Sequence, residues 1–139
     1  MSQLFQNEPT FNSNISNWDV SAVTNMTSMF ENASSFNQDI SNWDTSKVKS
    51  MESMFKDTSF NQNITLWDVS AVTNMASMFE NASSFNQPIS GWVTSNVKKM
   101  HSMFYCCNEF NQPLDNWITS KVINMIGMFY HCYEFNQPL

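Results

Sequence analysis

The sequence predicts a repeat solenoid, one motif stacked on itself along the whole chain. Two observations predict it. The first is a motif headed by phenylalanine that returns every 24 or 25 residues, at Phe11, Phe36, Phe60, Phe85, Phe110 and Phe135. The second is that nearly every large apolar residue falls into a fixed place within that motif. A unit of this length carrying about seven apolar places cannot bury them alone. Stacked on copies of itself it can, because each side chain then packs on its equivalents one rung above and below.

Numbering the leading phenylalanine as position 1 makes the columns explicit. Position 5 is aliphatic (Ile15, Ile40, Ile64, Ile89, Leu114, Leu139), and position 8 holds all five tryptophans, Trp18, Trp43, Trp67, Trp92 and Trp117. Position 11 is serine and position 13 valine in every full repeat, while positions 16 and 19 are methionine and position 20 is phenylalanine. The single irregularity is one residue missing between Phe55 and Phe60. The chain therefore divides into five full repeats, residues 11–35, 36–59, 60–84, 85–109 and 110–134, with partial repeats at 1–10 and 135–139, all in one domain.

Within each rung a short parallel strand is expected at positions 5 to 8, with a rise of about 4.8 Å per rung. Pro88, Pro113 and Pro138 at position 4 lack a ladder donor and would sit just before it. The serine at position 11 followed by V-x-x-M-x-x-M-F predicts a capped helical or 3₁₀ turn, with Val and the two Met on one side. The asparagine column at position 2 (Asn12, Asn37, Asn61, Asn86, Asn111, Asn136) predicts side-chain amides satisfying turn backbone from rung to rung. Neither end carries the polar, atypical repeat that closes a repeat array, so the expectation is either a segment of a longer array or ends that meet neighbours, end to end or in an assembly.

The segment FNQDISNWDTSKV, with V-T-N-M-x-S-M-F, resembles the 25-residue repeat of the Mycoplasma-type lipoprotein family (DUF285-type), grouped with the BspA-like leucine-rich-repeat surface proteins. The runs Phe104–Cys107–Phe110 and Phe129–Cys132–Phe135 are similar to the A-F-x-x-C-x-x-L segment of that wider group. Leucine is scarce here, and Phe, Met and Trp take its places. The resemblance implies a right-handed leucine-rich-repeat-like solenoid used for adhesion or recognition, at a cell surface or secreted. Members in protists and large DNA viruses leave a virion or intracellular assembly as the alternative compartment.

Charge and composition remove several function classes. The formal net charge is −6, all six basic residues are lysines, and there is no arginine. Nucleic-acid surfaces rely on clustered Lys and Arg, so that partner is not expected. No apolar run approaches the ~20 residues of a membrane span. No N-terminal signal peptide is visible, so an extracellular chain would be mature or cut from something larger.

Three cysteines, an odd count, argue against a disulfide framework. Cys107 and Cys132 share a column and replace alanines, which reads as small buried fillers, a bridge between them being the alternative. A zinc site from Cys106, Cys107, His131 and Cys132 fails on spacing, because adjacent residues on a turn point apart. Asp19, Asp44 and Asp68 stack at position 9, and solvated carboxylates that cap the next turn explain them better than calcium. No Ser–His–acid set or glycine-rich phosphate loop stands out from the repeat, so no catalytic residue, cofactor or metal is expected. Five Asn-x-Ser/Thr sequons, at Asn14, Asn25, Asn32, Asn63 and Asn81, matter only in a secreted eukaryotic setting.

Specificity in such an array has to lie in columns that vary. Position 21 is Glu31, Lys56 and Glu80 in the first three full repeats and becomes Tyr105 and Tyr130 in the last two, beside Cys106, His131 and Tyr133. These five residues form the candidate contact patch for a protein or glycan partner, aromatic rings with polar tips being favoured at interfaces. Packing of Tyr105 on Tyr130 to close the core is the alternative. The expected function is a non-enzymatic recognition or adhesion module, or else a structural subunit docking through its ends.

Overall fold

The computed structural model describes all 139 residues. Equivalent positions superpose rung on rung: Trp43 and Trp67 stack with ring centroids 6.4 Å apart and planes within 3°, as do Trp92 and Trp117. The phenylalanines of positions 20 and 1 form two interleaved columns. Phe30 lies 3.8 Å from Phe36 in its own rung and 5.7 Å from Phe55 in the next. One continuous cluster of 34 buried residues runs up the stack.

The backbone departs from the expectation. There is no helix and no 3₁₀ turn, and the only strand-like pairings are isolated parallel bridges linking Asn25, Ser50, Asn74, Lys99 and Asn124, all at position 15. The right-handed leucine-rich-repeat-like solenoid, with a strand at positions 5 to 8 and a helical turn after position 11, is overturned. Positions 5 to 8 close a turn instead, Trp43 N–H donating to Ile40 O at 3.2 Å. The segment read as helical carries the inter-rung contacts.

The physical reason lies at positions 18 and 22. Both have positive φ in every rung: Ser28 (54°), Ser53, Ser77 and Ser102 at one, Asn32 (61°), Asp57, Asn81, Cys106 and His131 at the other. Gln3 and Asn7 repeat this in the first partial rung, and Gly127 (67°) takes the serine place in the last. A left-handed residue every fourth position interrupts any right-handed helix. It supplies instead the third residue of a tight turn, which requires φ > 0 there in type II. Met29 N–H thus donates to Met26 O (3.2 Å) and Ala33 N–H to Phe30 O (2.9 Å). The consecutive turns keep the three-residue spacing of the methionines, so both still point inward.

The amides not used inside the turns bind the next rung. Met26, Ser28, Phe30 and Asn32 donate to the carbonyls of Ser50, Glu52, Met54 and Lys56 at 2.8–3.0 Å, and the pattern repeats up the stack. Every one of these N–H groups points toward the C-terminal end and every accepting C=O toward the N-terminal end. Side chains add two further ladders. Each buried indole donates to the position-5 carbonyl one rung back, Trp67 Nε1 to Ile40 O at 3.1 Å and Trp92 Nε1 to Ile64 O at 3.2 Å. Each position-2 Asn accepts from the backbone of the next rung, Asn61 Oδ1 from Asn86 N–H at 3.0 Å, and also from Gln87 Nε2 at 2.9 Å.

The missing residue is absorbed locally. Thr58 stands where Ala33 and Ala82 stand elsewhere, and its hydroxyl donates to Phe55 O (2.7 Å), a carbonyl that takes a backbone amide in the 25-residue rungs. Register is unchanged on either side: Met51 N–H still donates to Asn74 O and Met75 N–H to Lys99 O.

Candidate functional site

Positions 21 and 22 form two ladders, half-buried to exposed, along one edge of the stack. In the lower rungs they are filled with residues that pair up the ladder. Gln6 Nε2 donates to Glu31 Oε2 (2.7 Å), Lys56 Nζ lies 3.0 Å from Glu80 Oε1, and Asn81 Nδ2 donates to Asp57 Oδ1 (2.8 Å). In the last two rungs the same slots bring Tyr105, Cys106, Tyr130 and His131 together, with Tyr133 of position 24 beside them.

Tyr105 and Tyr130 stack at 5.1 Å with planes 18° apart, so the packing alternative describes this pair correctly. It does not close the surface. Tyr130 remains 53% exposed and Tyr133 71% exposed. His131 packs edge-on against Tyr130 at 4.1 Å, and its Nδ1 shares a 2.7 Å hydrogen bond with the Tyr133 hydroxyl. Cys106 is half-buried and its N–H donates to Tyr130 O (2.8 Å). Loss of solvent around the Tyr105 ring raises its phenol above the ordinary range, and neighbouring Cys106 and Tyr130 add to the effect.

Two features of the last two rungs, one at position 22 and one at position 9, work against the fold. Asn and Asp tolerate the left-handed slot at position 22, whereas Cys106 occupies it at 55° without a side chain suited to it. At position 9, Asp44 Oδ1 accepts from both the N–H (3.0 Å) and the Oγ (2.6 Å) of Ser46, and Asp19 does the same for Ser21. Those bonds hold the carboxyls of Asp19 and Asp44 below the ordinary range. Val93 and Ile118 forfeit that turn contact in the last two rungs and are 54% and 53% exposed.

Sequence reasoning missed a neighbouring surface. Ile123 (79% exposed) and Ile126 (80% exposed) project from positions 14 and 17, occupied elsewhere by Thr24, Lys49, Thr73 and Lys98, and by Thr27, Glu52, Ala76 and His101. The signal was present: two variable columns that turn aliphatic in the last rung. Lys99, His101, Asn124 and Met125 join them around a shallow groove. An open apolar cavity of about 240 Å³ lies on the last rung, floored by Leu114, Trp117, Met125, Met128 and Phe129.

The cysteines are structural in geometry. All three are free. Cys107 Sγ donates to Ala82 O (3.1 Å) and Cys132 Sγ to Cys107 O (3.0 Å), one rung apart. Burial pushes both thiols up, Cys132 to about 11, so neither supplies a thiolate at neutral pH. No group of three or more His, Cys, Asp or Glu side chains is placed to hold a metal ion. No helix is long and apolar enough to cross a membrane.

No curated protein and no solved structure matches the chain. One family does, that described as "Mycoplasma protein of unknown function, DUF285", matched over residues 1–65 and again over 56–139. These two matches take in every rung of the stack, and the chain is a repeat protein that belongs to that family.

Proposed function

We propose that this chain is a non-enzymatic recognition module, displayed at a cell surface or secreted, that holds a protein or glycan partner against Tyr105, Cys106, Tyr130, His131 and Tyr133. One observation supports this most: the column that pairs through Lys56 and Glu80 in the lower rungs turns to the stacked Tyr105 and Tyr130 in the last two, and Tyr130 and Tyr133 stay exposed. A stack selected for stability alone would repeat Asn or Asp at position 22, as the lower rungs do. Residues in disfavoured backbone slots tend to gather where a side chain is needed for contact. An acidic chain with six lysines and no arginine is a poor match to phosphate, which argues against a nucleic-acid partner. Nothing in the columns assembles a nucleophile, a base and an oxyanion site.

The test is a binding screen of the chain against glycan arrays and host-surface proteins, repeated with Tyr130→Ser/Tyr133→Ser. Both rings are exposed, so the melting temperature should hold while binding falls at least tenfold. Unchanged binding with a lowered melting temperature would leave the rings as packing.

A further inference from the structure

The turn formed by positions 4 to 9 changes character partway up the stack. In the first two full rungs position 7 is Asn17 and Asn42, and Asn42 Nδ2 donates to Ser16 O one rung back at 3.0 Å. The third rung puts Leu66 there, 89% exposed, and the fourth puts Gly91, where a Cβ would meet nothing within 4 Å. Position 9 turns from Asp19, Asp44 and Asp68 to Val93 and Ile118, and position 4 from Asn14, Asp39 and Asn63 to the exposed Pro88 and Pro113. These changes are neighbours in space. Thr65 Oγ1, beside Leu66, donates to Pro88 O at 2.9 Å, and Thr94 Oγ1, beside Val93, donates to Ile118 O at 3.2 Å. Leu66 and Val93 have full rungs both below and above, and Val93 is as exposed as Ile118. The apolar strip therefore belongs to the side of the stack and not to either end.

Charge of one sign borders the strip. Across positions 4 to 9 of all the rungs stand five exposed acids, Asp19, Asp39, Asp44, Asp68 and Asp115, and no lysine. None of the five has a salt-bridge partner, the pair Lys56–Glu80 being the only one in the chain. Lys47, at position 12, acts on Asp19 and Asp44 from outside this turn, but its equivalent in the rung of Asp68 is Ala71. Acids so placed repel anionic lipid headgroups. They would also repel their own copies if two such surfaces met face to face.

We propose that this side of the stack docks a basic amphipathic segment of a partner protein, with aliphatic side chains against Leu66, Val93 and Ile118 and Lys or Arg against Asp44 and Asp68. The surface is distinct from the tyrosine patch and stands whether or not that patch binds anything. An apolar strip bordered by acids selects a segment that offers both chemistries: covering the strip supplies affinity, and the charges reject wrong partners and fix direction. Apart from Asp115 the acids lie in the first three full rungs, so the basic end of the segment points toward the N-terminal rungs. Gly91 leaves the place above Leu66 unfilled, a notch for one side chain of the segment. Asp44 and Ile118 stand three rungs apart, roughly 15 Å at 4.8 Å per rung, the reach of about five extended residues or a helix of about three turns.

Selection of short random peptides displayed on phage against the 139-residue chain, at physiological salt, should enrich sequences that combine Lys or Arg with Leu, Ile or Val. Fluorescence anisotropy with a selected peptide then tells the strip from charge alone. Leu66→Asn and Val93→Asp/Ile118→Asp install residues that the lower rungs carry at the same places, so the melting temperature should hold. Val93→Asp/Ile118→Asp also makes the surface more acidic, and should nevertheless weaken binding about tenfold, as Leu66→Asn should. Asp44→Asn/Asp68→Asn and added salt should weaken it too. Tyr130→Ser/Tyr133→Ser should leave it unchanged, which separates this surface from the tyrosine patch. Enrichment of acidic or uncharged peptides, binding by Val93→Asp/Ile118→Asp as tight as that of the wild type, or loss of binding in the tyrosine variant would each overturn the proposal. So would self-association, or binding to phosphatidylserine vesicles, that Leu66→Asn abolishes, because a second copy or a lipid surface would then be the occupant.

Discussion

Trp67 offers the sharpest test of how the stack is held together. Its ring is 3% exposed, lies 6.4 Å from Trp43 and 6.1 Å from Phe55, and donates its indole N–H to Ile40 O at 3.1 Å. Trp67→Ala empties a large aromatic site and should destabilise by about 3–5 kcal/mol. Trp67→Phe separates packing from the hydrogen bond. Ile40 O keeps the Trp43 N–H at 3.2 Å, so the acceptor is not stranded and losing the indole bond costs about 1 kcal/mol. The smaller ring leaves a void of roughly 40 Å³, worth about 1 kcal/mol more at 24 cal/mol per Å³. Trp67→Phe should therefore lie near 2 kcal/mol. Trp18 is the control, since it is 41% exposed and its indole has no acceptor; Trp18→Ala should cost only about 1–2 kcal/mol. Urea titration followed by the remaining tryptophan fluorescence reads all three. Equal losses for Trp18→Ala and Trp67→Ala would refute the idea that rung-to-rung contact, rather than the ring's own rung, sets the energy.

Cys106→Asn puts a residue suited to the left-handed slot where a poor one stands. It should stabilise the fold by about 0.5–1 kcal/mol in the same titration, with binding by the tyrosine patch reduced. Asn61→Ala removes the acceptor of Asn86 N–H and one of the two acceptors of the Gln87 amide, which keeps the residue-61 carbonyl at 3.0 Å, and should destabilise by about 1–3 kcal/mol, whereas Asn12→Ala on the first rung should cost less. Ser21 and Ser46 hold the carboxyls of Asp19 and Asp44 below the ordinary range, so their contribution is complete above the unfolded value of 3.8 and is lost as pH falls through the lower folded values. Melting temperatures recorded between pH 6 and pH 2 should fall at the acid end, and the double variant Asp19→Asn/Asp44→Asn should flatten that fall.

The columns were legible because a period is visible in any conformation that repeats. Phe, Trp and Met recur at fixed places whatever the backbone does between them, and burial follows from stacking alone. The backbone was not legible from the same signal. Met–x–x–Met–Phe spacing suits a helical turn and also a run of four-residue turns, and only the residues between and just after the methionines tell them apart. Asn32, Asp57 and Asn81 at position 22, with Gly127 in the serine column, were that signal. Serine at position 18 hid it, since serine is not among the residues enriched at positive φ. Trp18 and Trp117 departed from uniform burial because they stand on the first and last full rungs, where one neighbour is missing. The tyrosine patch was found by the break in a column. The Ile123 and Ile126 surface was missed because each break is a single residue in the last rung.

The hydrogen bonds that join one rung to the next lie along the axis of the stack, and that sets how the molecule meets mechanical load. Its first and last residues belong to opposite ends, so a pull applied through them acts along the bonds rather than across them. Only the amides of a single junction, such as Met100, Ser102, Phe104 and Cys106 to the rung above, resist at any moment. Rungs should therefore peel away singly from an end, at low force, each releasing 24 or 25 residues, about 85 Å of slack. Under tension this chain behaves as a shock absorber that gives way in equal steps.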